Sequence, residues 1–342
     1  MRKKIKITVL MGGKSPEYEV SCLSGKRILE SLDPHKYDVF PMKINQKGEG
    51  YEKLFKLRPE VVFVAMHGSF GENGAVQGLL ELMNIPYTGS GILASALGMD
   101  KIMFRTMVQK AKIAVPRCVI LKKGDFAGKV WNELSVPVVV KPYCQGSSIG
   151  VSIVHSKANL EKALQKAFDF GSQAIVEEFL SGVEVTCGIL GNDKPIALPV
   201  AEIIPKKEFF DYESKYVSGM SEEIVPARIS AKLTKKIQET ALKVYQLIGC
   251  CGFGRVDMIL RQSTPYVLEI NTIPGLTPNS LLPKEAAAAG ITYQQLIEKI
   301  IQLALEKNYF ADSKTLSVSP RMKRGSNPAE RRGPRRIKIS RS

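Results

Sequence analysis

Strand and helix patterns alternate from the first residues of the chain, and this alternation constrains its fold more than any other feature. The runs KITVLM (6–11), KYDVFPMKI (36–44) and EVVFVAM (60–66) read as strands. VSCLSGKRILESL (20–32) and GAVQGLLELMNI (74–85) carry apolar residues at helical spacing. Such an order predicts a parallel sheet with helices on both faces, because parallel neighbours need crossover connections. The turns GGKSPE and HGSFGEN lie at the carboxyl ends of strands, where open α/β sheets place their sites.

The pattern then changes. A second unit, 99–180, begins near Met99 with a helix through Lys112, followed by strands at 117–121, 136–142, 151–154 and 174–179 and a helix at 156–169. A third, 181–312, has strands between 183 and 204, a polar loop at about 206–224, a long helix at 230–247, two further strands and a closing helix at 291–306. A chain of 342 residues can bury several cores. Its longest apolar runs, such as VVFVAM, are too short for a bilayer span. The basic start resembles a signal peptide, but Lys6 interrupts it and ITVLM is shorter than an apolar signal core, so a cytoplasmic protein is expected.

Six cysteines without a C-x-x-C pair, and only three histidines, argue against structural zinc and for free, mostly buried thiols. The net charge of +16 is uneven: residues 313–342 hold ten of the 49 basic residues and one of the 33 acidic ones. That tail lacks apolar periodicity and is expected to be disordered. It can touch RNA or an anionic surface nonspecifically, but an extension without function is the favoured reading. It has no aromatic residues to stack bases, so a nucleic-acid partner is not expected.

Chemistry concentrates in GRVDMILRQSTPYVLEINTIPGLTPNS, starting at Gly254. Alternation along YVLEIN puts Glu269 and Asn271 on one face, and FGRVDMIL supplies a partner strand with Asp257 opposite and Arg255 beside it. Two carboxylates and an amide suit Mg²⁺ shared with substrate phosphates; a solvated strand face is the alternative. GGKS (12–15) resembles the end of a Walker A loop, but the required earlier glycine is Thr8, inside a strand, so no phosphate loop is formed. VVVKPYCQGSSIGVSIV (138–154) is the better phosphate candidate. Its glycines and serines can offer backbone N–H groups, and Lys141 a positive charge, although a plain hairpin turn reads equally well. In AIVEEFLSGVEVTCGIL (174–190), Glu177, Glu178 and Glu184 suit either nucleotide contacts or an ordinary surface.

Taken together, MGGKSPEYEVS, HGSFGENGAVQG, PYTGSG, MDK, VVVKPYCQGSSIG, YESKY, GRVD and LEINTIPGLTPNSL resemble the D-alanine–D-alanine ligase family of the ATP-grasp superfamily over roughly residues 5–306. The resemblance implies an ATP-grasp fold, α+β in its ATP-binding part, preceded by a Rossmann-like parallel-sheet domain. On it, residues 1–98 are the substrate domain, 99–180 the small ATP-grasp domain and 181–312 the domain with the metal site. It implies ATP and two Mg²⁺ or Mn²⁺ ions as cofactors, a homodimer, and a role in peptidoglycan synthesis.

Carried over by position, Lys101 and Lys141 would bind phosphates, and Glu177, Leu180 and Glu184 would hold adenosine. Asp257, Glu269 and Asn271 would bind the metal ions, and Lys215 would reach the transferred phosphate. Glu17 would hold the first D-alanine's ammonium with His67 nearby, and Ser280 and Leu281 the second one's carboxylate. Arg255 and the Gly275 N–H would stabilise oxyanion charge, while Ser147 and Tyr216 would link with Glu17 to close the loop at about 206–224. Gln145 departs from the family, which often has an acidic residue there. Tyr216 goes with a dipeptide product; a depsipeptide with D-lactate, or a noncatalytic ATP- or RNA-binding protein, are the alternatives.

Overall fold

Three sheets organise the computed structural model, which describes residues 3–146, 149–205 and 221–306. In the first, β1 (Ile5–Gly12) lies between β2 (Tyr37–Ile44) and β3 (Val61–Val64), all parallel. Its helices are α1 (Tyr18–Ser31), a short α2 (Glu52–Leu57) not foreseen from sequence, and α3 (Ala75–Leu82). Ile7, Val9 and all of Val61–Val64 are fully buried, as expected of a parallel sheet covered on both faces. The predicted helix near Met99 is preceded by a separate one: α4 (Ile92–Met99) stops at Asp100, whose carboxylate caps the N-terminus of α5 (Lys101–Lys110).

The second sheet is antiparallel, in the order β4 (Cys118–Lys122), β7 (Gln173–Glu178), β5 (Val138–Pro142), β6 (Ser152–Val154). Helix α6 (Leu160–Phe168) buries Leu160, Ala163, Leu164 and Ala167, the i, i+3, i+4, i+7 stripe of an amphipathic helix, against one face. Along β5, Val138 and Val140 turn toward that core, which leaves Val139 and Lys141 for the opposite face.

The third sheet runs β11 (Ser221–Ile224), β10 (Ala201–Pro205), β8 (Val183–Leu190), β12 (Phe253–Arg261), β13 (Thr264–Asn271), with β9 (Ile196–Ala197) beside β8. Residues 221–224 correct the polar-loop expectation: they pair with β10 as an edge strand, and 206–220 lie outside the described residues. Helix α7 (Ala231–Ile248) covers one face through Ile237, Ala241, Val244, Tyr245 and Ile248. Each large apolar side chain so buried contributes about 1.5–3 kcal/mol relative to exposure. Val256 and Met258 of β12 point into that core, so Arg255 and Asp257 take the other face. Helices α8 (Leu281–Ala288) and α9 (Tyr293–Glu306) follow. All six cysteines are free, but only Cys187 and Cys250 are buried, fewer than expected. No described helix is long and apolar enough to cross a membrane.

Candidate active site

The β12–β13 hairpin realises the predicted convergence. Asp257 pairs directly with Glu269, and Arg255 with Asn271. Immediately after Asp257 the register shifts, so that Met258 faces Val267 and Leu268 is the extra residue of a bulge. The bulge lets Leu268 and Glu269, neighbours in sequence, both line the same cleft.

Asp257 is nearly enclosed by donors. Arg255 grips it through Nε and Nη2, each at 2.8 Å, the Thr186 hydroxyl donates at 2.6 Å, and Asn271 Nδ2 at 3.1 Å. Thr186 stands opposite Asp257 across the β8–β12 ladder. Glu269 is paired with Lys101. A cation at the first position of α5 opposes the helix dipole, so α5 alone does not favour it there. Burial pulls the Lys101 ammonium down, but Glu269, Glu177 and Asp257 outweigh burial and hold it above its ordinary value.

A second ion cluster faces the hairpin. Glu177 sits opposite Val139, diagonal to Lys141, and accepts from Lys141 Nζ at 2.7 Å and Arg105 Nη1 at 2.9 Å. Arg105, buried and one helical turn beyond Lys101, was missed in the sequence; the K-x₃-R spacing in α5 was its signal.

Between these clusters lies a cleft of about 960 Å³, including its open side. Val139, Ile153, Leu180, Ile259 and Leu268 give it apolar walls, and Glu184, Lys101 and Lys141 also line it. Its apolar walls suit a nucleotide base, and the lysines suit phosphates. Among the described residues no group of three or more His, Cys, Asp or Glu forms a metal cage. Two carboxylates with an amide fit Mg²⁺ that completes its shell with phosphate and water.

A second cavity, about 620 Å³ including its open side, is lined by Glu17, His67, Glu72, Glu223, Arg255, Asn271, Gly275, Ser280 and Leu281. A smaller one joins the two, sharing Lys101, Gln145 and Glu269 with the first and Glu72, Gly146 and Asn271 with the second. Glu17 is buried where α1 begins, close under Gly68; a Cβ on Gly68, which has φ +68°, would lie 2.6 Å from the Glu17 carboxylate. His67 reaches Ile273 O at 3.1 Å and Glu72 at 3.4 Å. Burial pulls the imidazole down, and Glu72 and Glu17 more than offset it. Glu72 was quoted in a sequence motif without a role, and burial pushes its carboxyl up.

Ser280 occupies the N-cap position of α8 without capping it; its Oγ meets Thr277 Oγ1 at 2.8 Å and accepts from Thr277 N–H at 3.0 Å. The Gly275 N–H makes no hydrogen bond among the described residues. Behind Arg255, Glu285 of α8 is fully buried, and among the described residues neither oxygen has a well-formed hydrogen bond, the nearest backbone donor being at Gly188. Burial pushes its carboxyl up to about 8, with Arg255 opposing. Ser147, Lys215 and Tyr216 lie outside the described residues.

The whole arrangement has close relatives. The family model for the D-ala D-ala ligase C-terminus matches residues 95–302, and that for the N-terminus matches 6–58 and 51–90. A D-alanine–D-alanine ligase of Carboxydothermus hydrogenoformans is 44% identical over 88% of this chain and 99% of its own; that of Pelotomaculum thermopropionicum is 42% identical over 88% and 97%. Among solved structures, the Bacillus anthracis D-alanine–D-alanine ligase complexed with ATP superposes with a TM-score of 0.78 at 34% identity, covering 88% of this chain and 98% of that one. The VanG D-Ala:D-Ser ligase of Enterococcus faecalis reaches 0.78 at 34% identity, covering 88% and 100%. These likenesses bear out the α/β, ATP-grasp reading of the sequence, and with both family models matched in order along the sequence, the chain belongs to the D-alanine–D-alanine ligase family.

Proposed function

We infer that the protein joins two D-alanines into D-alanyl-D-alanine at the expense of ATP, supplying a precursor for peptidoglycan. The observation that carries this reading is the junction itself: Arg255, Asp257, Glu269 and Asn271 share one strand face where the apolar-walled, lysine-lined cleft opens into the Glu17 cavity. One pool of substrate held at each end would meet there.

In the first half-reaction a carboxylate oxygen of the first D-alanine attacks the ATP γ-phosphorus. The bond to the β,γ-bridging oxygen breaks, giving D-alanyl phosphate and ADP. Lys101 and Lys141 neutralise phosphate charge, exchanging Glu269 and Glu177 for phosphate oxygens. Asp257, Glu269 and Asn271 would hold magnesium, which supplies charge neutralisation for the transferring group. Glu17 receives the substrate ammonium. In the second half-reaction the neutral amine of the other D-alanine attacks the acyl carbon. A C–N bond forms, the amine loses a proton, and phosphate departs as the tetrahedral intermediate collapses. Arg255 and the Gly275 N–H face the oxyanion of that intermediate, and Ser280 and Leu281 receive the acceptor's carboxylate. Ser147, Lys215 and Tyr216 complete the proposal as closing contacts that exclude water from the acyl phosphate. A cytoplasmic homodimer with domains at 1–98, 99–180 and 181–312 belongs to the same reading.

The test is incubation of purified protein with ATP, Mg²⁺ and D-alanine, measuring phosphate and dipeptide by mass spectrometry. D-Lactate, D-serine and L-alanine run in parallel. Dipeptide from D-alanine, lost in Glu269→Ala, is the expected result. Ester with D-lactate in preference to dipeptide would replace the peptide reading, and folded protein with no ATP turnover would end it.

A further inference from the structure

The segment Ile273–Ser280 carries Gly275 and Ser280 but belongs to no helix or strand, and its position is set by side chains from far away in sequence. His67 Nδ1 meets Ile273 O at 3.1 Å, and His67 Nε2 meets the Ser24 hydroxyl at 3.1 Å. Ser24 Oγ also accepts from Leu276 N–H at 3.4 Å. The Tyr293 hydroxyl donates to Leu276 O at 2.9 Å. Both polar groups of Leu276, the residue after Gly275, are therefore engaged, while Gly275 lines the cavity and its N–H has no hydrogen-bond partner among the described residues.

The two anchors are themselves locked. Ser24 is completely buried on the face of α1 that begins with Glu17: positions 17, 21 and 24 follow helical spacing. Ser21 completes that stripe by accepting from Gly12 N–H and donating to Ala65 O. Tyr293, the first residue of α9, is stacked under the Arg27 guanidinium at 3.9 Å, and Arg27 lies one turn beyond Ser24 on α1. A single helix thus carries the group that receives the first amino acid and one that holds the oxyanion segment.

We propose that Ser24 and Tyr293 are positioning residues for the second half-reaction, holding the Gly275 N–H at the site of the oxyanion through the N–H and C=O of Leu276. This rests on the ligase reading above. Loosening either anchor leaves the nucleotide cleft untouched, because neither lines it. Acyl phosphate then forms at its normal rate and waits longer for the amine, so part of it is lost to water.

The experiment compares full-length wild type with Ser24→Ala and Tyr293→Phe, reading phosphate and dipeptide in the same samples with ATP, Mg²⁺ and D-alanine. Tyr293→Phe keeps the ring on Arg27 and decides the matter if Ser24→Ala fails to fold. Expected is a fall in dipeptide turnover of about tenfold to a hundredfold, the scale of a misplaced reacting group. Phosphate released per dipeptide rises above one and the KM for ATP stays within about twofold. Variants that keep one phosphate per dipeptide, whether turnover is unchanged or both products fall together, overturn the inference while leaving the ligase reading standing. Wild type that makes no dipeptide overturns the ligase reading itself.

Discussion

The two ends of the cleft are built by different means. At the nucleotide end, Asp257, Glu269, Lys141 and Glu177 stand on paired strands, placed by register and held by ion pairs. At the other end, the proposed amino-acid site, Gly275 and Ser280 lie on an irregular segment held by single hydrogen bonds from α1, α9 and His67. Strand register fixes where these side chains stand, and under the proposed function their charge pairs are the ones exchanged for phosphate and metal. An irregular segment has no ladder, so buried polar side chains must supply what backbone pairing does elsewhere.

The difference is broken most severely at Glu269. Glu269→Ala removes the partner of Lys101 and one carboxylate of the hairpin, and both phosphate release and dipeptide should fall together by about 10²–10³. This contrasts with the uncoupling expected at Ser24, and a product ratio separates the two ends in one assay. Arg105→Met leaves Glu177 with Lys141 alone in a buried setting. Losing one charge-assisted hydrogen bond while Lys141 still neutralises the carboxylate costs about 1.5–3 kcal/mol, read as a shifted urea midpoint, together with a raised KM for ATP. Loss of stability without any change in ATP affinity would make Arg105 a structural residue of the small sheet only.

Glu285 sharpens the comparison, because it is buried behind Arg255, beside Gly188 of β8, and uses neither device. Its carboxyl titrates near 8 in the folded chain against an ordinary 4.5. A carboxyl raised on folding binds its proton more tightly folded than unfolded, so stability is lost as pH rises from about 4.5 to about 8 and then levels off. Glu285→Gln removes that loss: its melting temperature should match wild type near pH 5 and exceed it at pH 8, by an amount equivalent to a few kcal/mol at most. A constant difference across that range would refute the assignment. The smallest effect is expected at Gly188, where an added Cβ would fall 2.5 Å from both Glu285 Oε2 and Leu282 Cδ1. Gly188→Ala should cost about 1–3 kcal/mol by overpacking, measured by thermal melting.

Much of the nucleotide end was legible in the chain, since alternation along YVLEIN and FGRVDMIL already put Asp257, Glu269 and Asn271 on facing strands. The bulge at Leu268 was not, because an extra residue in a ladder shows only against its partner strand. At the other end Glu17, His67 and Ser280 entered through the family's motifs, but their supports did not. Ser24 lies 252 residues from Leu276, and His67 lies 206 from Ile273. A serine at helical spacing from Glu17 is a pattern that a sequence displays, yet nothing local says what it will meet. The edge strand at 221–224 was hidden for the same reason: SEEI has no apolar alternation of its own, and β10 gives it its conformation.

By itself, then, the sequence determined periodicity: which residues share a face of a strand or helix, in what order the elements come, and which chemical groups each face carries. Backbone geometry imposes those repeats locally, at two residues in a strand and 3.6 in a helix. Only the tertiary structure decided that the Glu177 cluster faces the Asp257–Glu269 hairpin, that Lys101 neutralises Glu269, and that α1 and α9 clamp the Gly275 segment. Those pairings follow from which apolar faces bury one another, and burial is a property of the assembled core rather than of any segment within it.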